Sequence, residues 1–439
     1  MLKFIFYLIF MIPLNFNLLY YVYSFFFFFF FFFLKNFYFF NFCFISYIFG
    51  MDFISFNFIC LTIWICLMIS LSLISSFLSF KSLYVFYLNF IMIFLFLVFS
   101  VMDFFYFYFF FEGSMLPVFL ILFGWGYQPE RLGAGFYLIF YTLFGSFPFL
   151  LIIFYMMSSK GSFSYFLDYK FSSYFLMFFL LMSFFIKFPM FGFHSWLPSA
   201  HVEAPVGGSM ILAGVLLKLG GYGFIRVIPF VYKFIFNYSY FFISLSLWGC
   251  IVISFICIVQ SDLKMLIAYS SVCHMSLVIV GLFTMTWCGM MGSLVLMIGH
   301  GFVSSGLFFL VGIVYNRFSS RSFFILKGMI SFLPSLSLFW FVFCVMNMSC
   351  PPSINLFSEI FIVLSCLSWS NLTFMYLFFI LFLSACYSLT IFFLTQHGFM
   401  SSLMKYSSYC YLMEYFILFL HGFPVFFMIL SLNFFFSFN

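Results

Sequence analysis

The chain has 439 residues, of which 90 are phenylalanine and 67% are hydrophobic. Only 5% are charged, and the 15 lysine and arginine residues outnumber the 9 aspartate and glutamate residues to give a net charge of +6. So few polar residues cannot cover the surface of a water-soluble domain, and the high hydrophobicity excludes intrinsic disorder. The composition is typical of a polytopic membrane protein.

A membrane-spanning helix needs about 20 mostly apolar residues. The sequence contains 14 such segments, at about 2–20, 22–49, 53–78, 83–101, 103–124, 135–157, 172–196, 206–228, 239–259, 265–284, 289–314, 329–369, 373–395 and 412–434. These runs are too long and continuous for the alternating strands of a membrane β-barrel. Two segments, 172–196 and 329–369, contain internal prolines and are predicted to be broken helices. We therefore expect an all-α polytopic fold with about 14 transmembrane helices.

The first segment resembles a signal peptide, but the nine-phenylalanine run 25–33 follows it instead of a small-residue cleavage site. We therefore predict a first spanning helix, and we interpret the run as lipid-facing filler. The excess of phenylalanine suggests an AT-rich, organellar genome.

Positive residues, among them Arg226 and Lys264, are spread singly through predicted loops, which argues against a nucleic-acid partner. The 12 cysteines include no Cys-x-x-Cys pair, so neither a metal ribbon nor a disulfide framework is indicated.

Signatures of bound cofactors are missing from the sequence. The glycines around Lys218 have the wrong spacing for a phosphate-binding loop, and no Gly-x-Gly-x-x-Gly follows a predicted strand. His194 and His201 lie seven residues apart near Glu203, which is not the spacing of a His-Glu-x-x-His zinc site. We expect this chain to hold no metal, nucleotide, iron–sulfur or haem cofactor of its own.

Ionisable residues inside membrane spans are costly and usually mark an ion path, and six residues are candidates for one. They are Glu112, Lys187, Lys218, His274, His300 and Glu359. For the lysines and glutamates the alternative is a structural ion pair. For the two histidines it is a neutral ring hydrogen-bonded to a helix backbone.

These groups suit proton transfer, because burial lowers the pKa of a lysine in general and a nearby carboxylate raises it. Pro189 follows Lys187 and Pro352 precedes Glu359, so both groups lie at predicted helix breaks. Similar sequence separations, from Lys187 to Glu359 and from Glu112 to His274, suggest two inverted repeats of five helices each. The expected division is 1–82 for N-terminal helices, 83–228 for an input repeat, 239–395 for an output repeat, and 396–439 for a loop and last helix.

Several motifs carry a resemblance to a known family. They are FEGSMLP at 111–117, QPERLGAG at 128–135, KFPMFGFHSWLPSAHVEAP at 187–205, VLLKLGGYG at 215–223, SDLKMLIAYSSVCHM at 261–275, GHG at 299–301, PPSINLFSE at 351–359, SACYSL at 384–389 and QHG at 396–398. In order and spacing, residues 103–434 resemble the mitochondrial NADH-ubiquinone oxidoreductase chain 4 family. The first hundred residues match it only in hydropathy, and Gly124 replaces a basic residue that the family tends to have.

The resemblance implies an antiporter-like subunit of the membrane arm of respiratory complex I, with 14 helices in two inverted repeats. By the same resemblance, Glu112 and Lys187 form the proton input pair and Lys218 is the central relay. His274 and His300 continue the path, and Glu359 releases the proton. His194, His201 and Glu203 would orient the broken helix.

The implied partners are other membrane-arm subunits, including neighbouring antiporter-like subunits, and lipids such as cardiolipin. NADH, FMN, iron–sulfur clusters and ubiquinone would be bound by partner subunits. The implied location is the mitochondrial inner membrane, with the gene in the organelle.

Two alternatives stay open. One is a free-standing cation/proton antiporter of the Mrp type, against which the PER motif at 129–131 and the HVEAP motif at 201–205 count. The other is a scaffold that has lost pumping, against which the retained Glu112, Lys187, Lys218 and Glu359 count.

Overall fold

The computed structural model describes residues 1–35, 43–76, 79–166, 171, 173–399 and 409–432. Its helices are α1 (Leu2–Phe10), α2 (Leu18–Lys35), α3 (Phe53–Ser75), α4 (Lys81–Ser100), α5 (Phe104–Gly113), α6 (Met115–Trp125), α7 (Arg131–Lys160), α8 (Tyr174–Lys187), α9 (Trp196–Glu203), α10 (Val206–Ile211), α11 (Leu217–Val259), α12 (Leu263–Phe283), α13 (Trp287–Phe318), α14 (Met329–Phe332), α15 (Pro334–Asn347), α16 (Ile354–Trp369), α17 (Thr373–Gln396) and α18 (Leu412–Phe427). A 3-10 helix (Ile12–Phe16) follows α1, and a π-helical turn (Leu212–Leu216) joins α10 to α11.

Within these residues, eight helical stretches are long and apolar enough to cross a membrane. They are Phe53–Ser75, Lys81–Ser100, Phe104–Trp125, Arg131–Lys160, Val206–Val259, Leu263–Phe283, Trp287–Phe318 and Thr373–Gln396. The prediction of a multi-pass helical membrane protein is confirmed. The count of 14 crossings stays a prediction, because the other apolar helices are shorter.

The predicted helix over 22–49 is wrong from Cys43 onward, and its residues 36–42 lie outside the described part of the chain. Strand β1 (Cys43–Ser46) pairs antiparallel with strand β2 (Phe49–Met51), so the expectation of a fold without strands also fails. Short apolar runs rich in phenylalanine and isoleucine do not distinguish a strand from a helix. The hairpin ends where Asp52 caps α3, with Ser55 N donating to the Asp52 carboxylate at 3.0 Å.

A second correction concerns the predicted spans 206–228 and 239–259. Residues 229–238, expected to form a loop, are helical and belong to α11, which includes Pro229.

Both helix breaks expected within 172–196 and 329–369 are present. Helix α8 ends at Lys187, two residues before Pro189, and residues 348–353 interrupt the helix between α15 and α16.

Close packing divides the chain into two compact units. The N-terminal unit comprises residues 1–188 and 203–237, and the C-terminal unit comprises residues 189–202 and residues from 238 onward. The predicted repeats at 83–228 and 239–395, and the flanking segments 1–82 and 396–439, stay predictions.

In the N-terminal unit, the phenylalanine run forms part of α2 and has two faces. Phe27 and Phe30 are exposed, whereas Phe28 and Phe32 are buried. The Phe28 ring packs 6.3 Å from that of Phe96, and Phe32 lies 5.6 Å from Phe56 between ring centroids. Because residues three and four apart share a helix face, one side of the run packs inside the unit. The interpretation of the whole run as lipid-facing filler is therefore wrong.

Arg226 was expected in a loop but lies in α11 of the N-terminal unit. One of its guanidinium nitrogens lies 2.6 Å from Asp52 Oδ1, and its charged group lies 4.7 Å from the centre of the Tyr222 ring. Burial alone would raise the pKa of Asp52, but the guanidinium and the cap bonds from Ser55 hold it below its ordinary value. This ion pair ties the start of α3 to α11.

In the C-terminal unit, α13 is the central helix, and its most apolar stretch is entirely buried by protein. Gly292, Gly299 and Gly306 recur every seven residues on α13. A Cβ at Gly292 would lie 2.9 Å from both the Ser358 carbonyl oxygen and the Phe361 Cβ. Glycine therefore allows the α13 backbone to pack directly against α16, as small residues do between membrane helices.

We expect Gly292→Ala to lower stability by about 1–3 kcal/mol, because the added methyl group meets backbone that cannot rotate away. Gly133→Ala on α7 is the matched control, since a Cβ there has nothing within 4 Å. Thermal unfolding of the detergent-solubilised assembly measures the difference. Equal melting temperatures for the two variants would contradict close α13–α16 packing.

Candidate functional site

Glu112 and Lys187 form an ion pair in the N-terminal unit. The Lys187 ammonium lies 3.2 Å from Glu112 Oε1, and the two side chains are 1% and 16% exposed for lysine and glutamate respectively. Lys187 Nζ also donates to the Phe111 carbonyl oxygen at 2.9 Å and lies 3.0 Å from the centre of the Phe111 ring. A carboxylate, a carbonyl and an aromatic face therefore surround the ammonium.

Glu112 and Lys187 each lie at the end of a helix, where the chain is interrupted. Helix α5 ends at Gly113, and Pro117 has no N–H to donate to the carbonyl one turn earlier. The Phe111 carbonyl at this interruption accepts from Ser114 Oγ at 2.8 Å as well as from Lys187. Because α8 ends at Lys187, this lysine is the last helical residue before the second interruption.

Lys218 lies in the N-terminal unit directly after the π-helical turn. It is fully buried, and its ammonium donates to the carbonyl oxygen of Ala213 inside that turn. A π-turn inserts an extra residue, which displaces carbonyl groups from the regular hydrogen-bond ladder, and such turns are frequent at functional sites. Lys218 is one of the predicted site residues, whereas the turn was not predicted from the sequence.

The C-terminal unit brings His274, Glu359 and His300 together. His274 Nδ1 lies 3.7 Å from Glu359 Oε1, and its Nε2 lies 3.3 Å from the Tyr387 hydroxyl. The rings of His274 and His300 are 5.4 Å apart between centroids. All four side chains are buried. One imidazole thus contacts a carboxylate through one nitrogen and a phenol through the other.

The structure adds residues that sequence reasoning assigned no role. Tyr387 lies in a family-like motif but was not placed beside His274. His421 is fully buried in α18, and its Nδ1 lies 2.9 Å from the Ile417 carbonyl oxygen. Lys264, expected in a loop, is fully buried in α12, and its Nζ lies 3.4 Å from the Val202 carbonyl oxygen. The criterion of an ionisable group within an apolar segment would have found His421.

Three residues were expected to orient the broken helix. His194 lies between α8 and α9, and His201 and Glu203 lie in α9. His201 stacks on Phe308 with ring centroids 4.7 Å apart, and His194 stacks on Phe191 at 5.6 Å. The Glu203 carbonyl oxygen accepts from Tyr127 N at 3.3 Å. Their orienting role stays a prediction. In the described part of the chain, no three His, Cys, Asp or Glu side chains could hold a metal ion.

Two family models match consecutive parts of the chain. The model described as NADH-ubiquinone oxidoreductase chain 4, amino terminus, matches residues 1–100. The model described as NADH:quinone oxidoreductase/Mrp antiporter, TM, matches residues 100–384. The expectation that the first hundred residues share only hydropathy with the family is therefore wrong.

Relatives named NADH-ubiquinone oxidoreductase chain 4 are similar over most of the chain. The protein of Aedes aegypti is 51% identical over 362 residues, which cover 81% of each chain. That of Locusta migratoria is 47% identical over 407 residues, or 91% of each chain.

Solved structures share the fold at low sequence identity. A chain of respiratory complex I from Thermus thermophilus aligns with a TM-score of 0.86 and 21% identity, over 97% of this chain and 95% of that one. A chain of the Mrp complex from Dietzia aligns with a TM-score of 0.74 and 15% identity, over 80% and 68%.

We expect Glu112→Gln to destabilise the protein by about 3 kcal/mol, because it leaves the buried Lys187 ammonium without its carboxylate. Adding Lys187→Met to this variant should restore much of the loss, since no buried charge then remains. The melting temperature of the solubilised assembly measures both effects. Glu130→Gln is the control, since Glu130 is exposed at the start of α7. Equal loss in the single and double variants would argue against a stabilising ion pair.

Proposed function

We propose that this chain, which belongs to the NADH-ubiquinone oxidoreductase chain 4 family, translocates protons as a membrane subunit of respiratory complex I. The observation that carries the proposal is that each unit holds an acid beside a base at or near a helix interruption, and that Lys187, His274 and Glu359 are buried. Glu112 and Lys187 form one pair, and His274 and Glu359 form the other. Ionisable groups held inside membrane spans are typical of proton relays.

In the N-terminal unit, Lys187 is the group that is loaded and unloaded. The Glu112 carboxylate stabilises the ammonium at 3.2 Å, and its displacement leaves a charge in an apolar surrounding, which favours release of the proton. The Phe111 carbonyl holds the amine in place as the carboxylate moves. Because Glu112 is 16% exposed, it is the partner with room to move.

In the C-terminal unit, His274 takes up a proton at one ring nitrogen and releases a different proton from the other. Nδ1 faces Glu359, and Nε2 faces the Tyr387 hydroxyl. An imidazole can accept a proton at one nitrogen and release one from the other, which suits a relay. Tyr387 orients the ring so that Nδ1 stays beside the carboxylate.

The proposed order runs from Glu112 and Lys187 through Lys218 to His274 and His300 and ends at Glu359, as the family resemblance implies. Moving one proton against 100 mV costs about 2.3 kcal/mol. That free energy would come from NADH oxidation and ubiquinone reduction in partner subunits, which would hold the NADH, FMN, iron–sulfur clusters and ubiquinone. This makes the chain a subunit of NADH:ubiquinone reductase.

The same proposal places the chain in the mitochondrial inner membrane, encoded in the organelle. Its neighbours would be other membrane-arm subunits, including antiporter-like ones, with lipids such as cardiolipin at its surface.

An Mrp-type antiporter shares this fold, so the fold does not discriminate between the two functions. The chain 4 match over residues 1–100 and the chain 4 relatives favour complex I. Native purification separates the alternatives. We expect the chain to co-migrate with in-gel NADH dehydrogenase activity, and migration apart from any NADH-oxidising assembly would favour the Mrp type.

We expect Glu359→Gln to cut proton pumping severely while the complex still assembles, because the amide cannot take up and release a proton. Proton uptake into sealed vesicles, measured per NADH oxidised, reports the effect. The control is Glu130→Gln, the same substitution at an exposed position. Normal stoichiometry in assembled Glu359→Gln complex would remove this residue from the path.

A further inference from the structure

A cavity of about 590 Å³ lies in the N-terminal unit between α1, α2 and the β1–β2 hairpin. Its walls are mainly aromatic rings, with two polar residues among them. The residues that matter here are Phe4, Tyr7, Phe28 and Phe31, together with Lys3 and Ser46. The volume lies within the range of about 300–1,000 Å³ that is typical of ligand pockets.

The polar end of this cavity lies at the level where the neighbouring helices end. The Phe32 ring, one turn before the end of α2, is 5.6 Å from that of Phe56, one turn after the start of α3. The Phe4 ring is 5.1 Å from that of Phe32, so the adjacent Lys3 lies near the same level. Ser46 belongs to the hairpin that follows α2 and precedes α3. Because α3 is long and apolar enough to cross a membrane, this level is the membrane surface.

The other end of the cavity is apolar and lies deeper. Phe28 is seven residues before the end of α2, or about 10 Å along the helix. The Tyr7 ring stacks on it with centroids 5.2 Å apart, and the Tyr7 hydroxyl already donates to the Ser24 carbonyl oxygen at 3.0 Å. This end therefore presents ring surfaces, and the cavity is polar at the membrane surface and apolar below it.

The two polar residues have unused bonding capacity within the described part of the chain. Ser46 Oγ is buried and has no hydrogen-bond partner there. Lys3 is exposed, and none of the four ion pairs between described residues includes it. A buried hydroxyl without a partner is costly, and an ammonium without a carboxylate attracts an anion. Both groups therefore favour a ligand that is anionic at its polar end.

We propose that this cavity binds one anionic phospholipid. An acyl chain lies against Phe28 and Phe31, and the headgroup phosphate accepts from the Lys3 ammonium and the Ser46 hydroxyl. Phe31 is 53% exposed, so the chain can enter from the surrounding bilayer. The positive charge of Lys3 selects against a zwitterionic headgroup, whose own cation it would repel. The proposal depends on the membrane location of the chain and not on proton translocation.

Photolabelling of the assembled complex in phosphatidylcholine vesicles tests the site. The probe is phosphatidylglycerol with a diazirine midway along one acyl chain, and the comparison probe has the same chain on phosphatidylcholine. After irradiation and digestion, mass spectrometry locates the labelled residues. We expect the anionic probe to label Phe28 or Phe31 and the zwitterionic probe to label them several-fold less.

Charge removal gives the sharper comparison. We expect Lys3→Gln to lower labelling by the anionic probe about three- to tenfold, since one lysine near an anionic headgroup contributes that much affinity, and Lys3→Arg to retain it. Lys160→Gln is the matched control and should label normally. Lys160 is an exposed lysine at the end of α7, and backbone bridges from β2 to Val101 and from Asp103 to Ser164 place it on the same side of the membrane.

The hydroxyl has its own matched pair of variants. We expect Ser46→Ala to lower labelling about two- to tenfold through loss of one hydrogen bond to the phosphate. Ser24→Ala should label normally, because the Ser24 hydroxyl donates within its own helix to the Tyr21 carbonyl oxygen at 2.7 Å.

Three results would overturn the proposal. They are equal labelling of the two rings by both probes, labelling of Lys3→Gln at the level of Lys160→Gln, and no labelling of either ring by the anionic probe. Proton pumping by the unmodified complex bears on the proposed function alone, so the two hypotheses can fail separately.

Discussion

A charge in an apolar interior has to be held by partners that the protein itself supplies, because lipid offers none. A regular helix supplies few, since it uses its own backbone groups in its hydrogen-bond ladder. In this protein two of the buried lysines lie where that ladder is disturbed. Lys187 takes the Phe111 carbonyl beside the end of α5, and Lys218 takes the Ala213 carbonyl of the π-turn. Helix irregularity and buried charge therefore occur together, and the candidate site follows from both.

The same constraint produces buried pairs of different geometry. Asp52 and Arg226 are 2.6 Å apart, and cap bonds from Ser55 hold the carboxylate, so the pair serves as a fixed tie between elements. His274 and Glu359 are 3.7 Å apart, beyond direct hydrogen-bond distance. A loose pair of groups that can each gain or lose a proton suits transfer, whereas a guanidinium cannot give its proton up.

The candidate site residues share one sequence signal, an ionisable group surrounded by apolar neighbours. That signal identified Lys187 and Glu359 but not their contacts, because the distances between helices depend on packing. Tyr387 was missed as the partner of His274, since a tyrosine in an aromatic-rich span looks ordinary. The β1–β2 hairpin was missed because its residues are as apolar as the helices on either side. The π-turn has no sequence signature of its own beyond small residues such as Gly214.

The sequence by itself determined the membrane class, the helical secondary structure of most apolar segments and the helix breaks near Pro189 and Pro352. These are local properties, since hydropathy, proline and isolated charges act on the residues around them. Only the tertiary structure decided that His274 meets both Glu359 and Tyr387, and which face of the phenylalanine run is buried. Those outcomes depend on which helices become neighbours, and a window of sequence contains no information about a partner more than 70 residues away, as Lys187 is from Phe111.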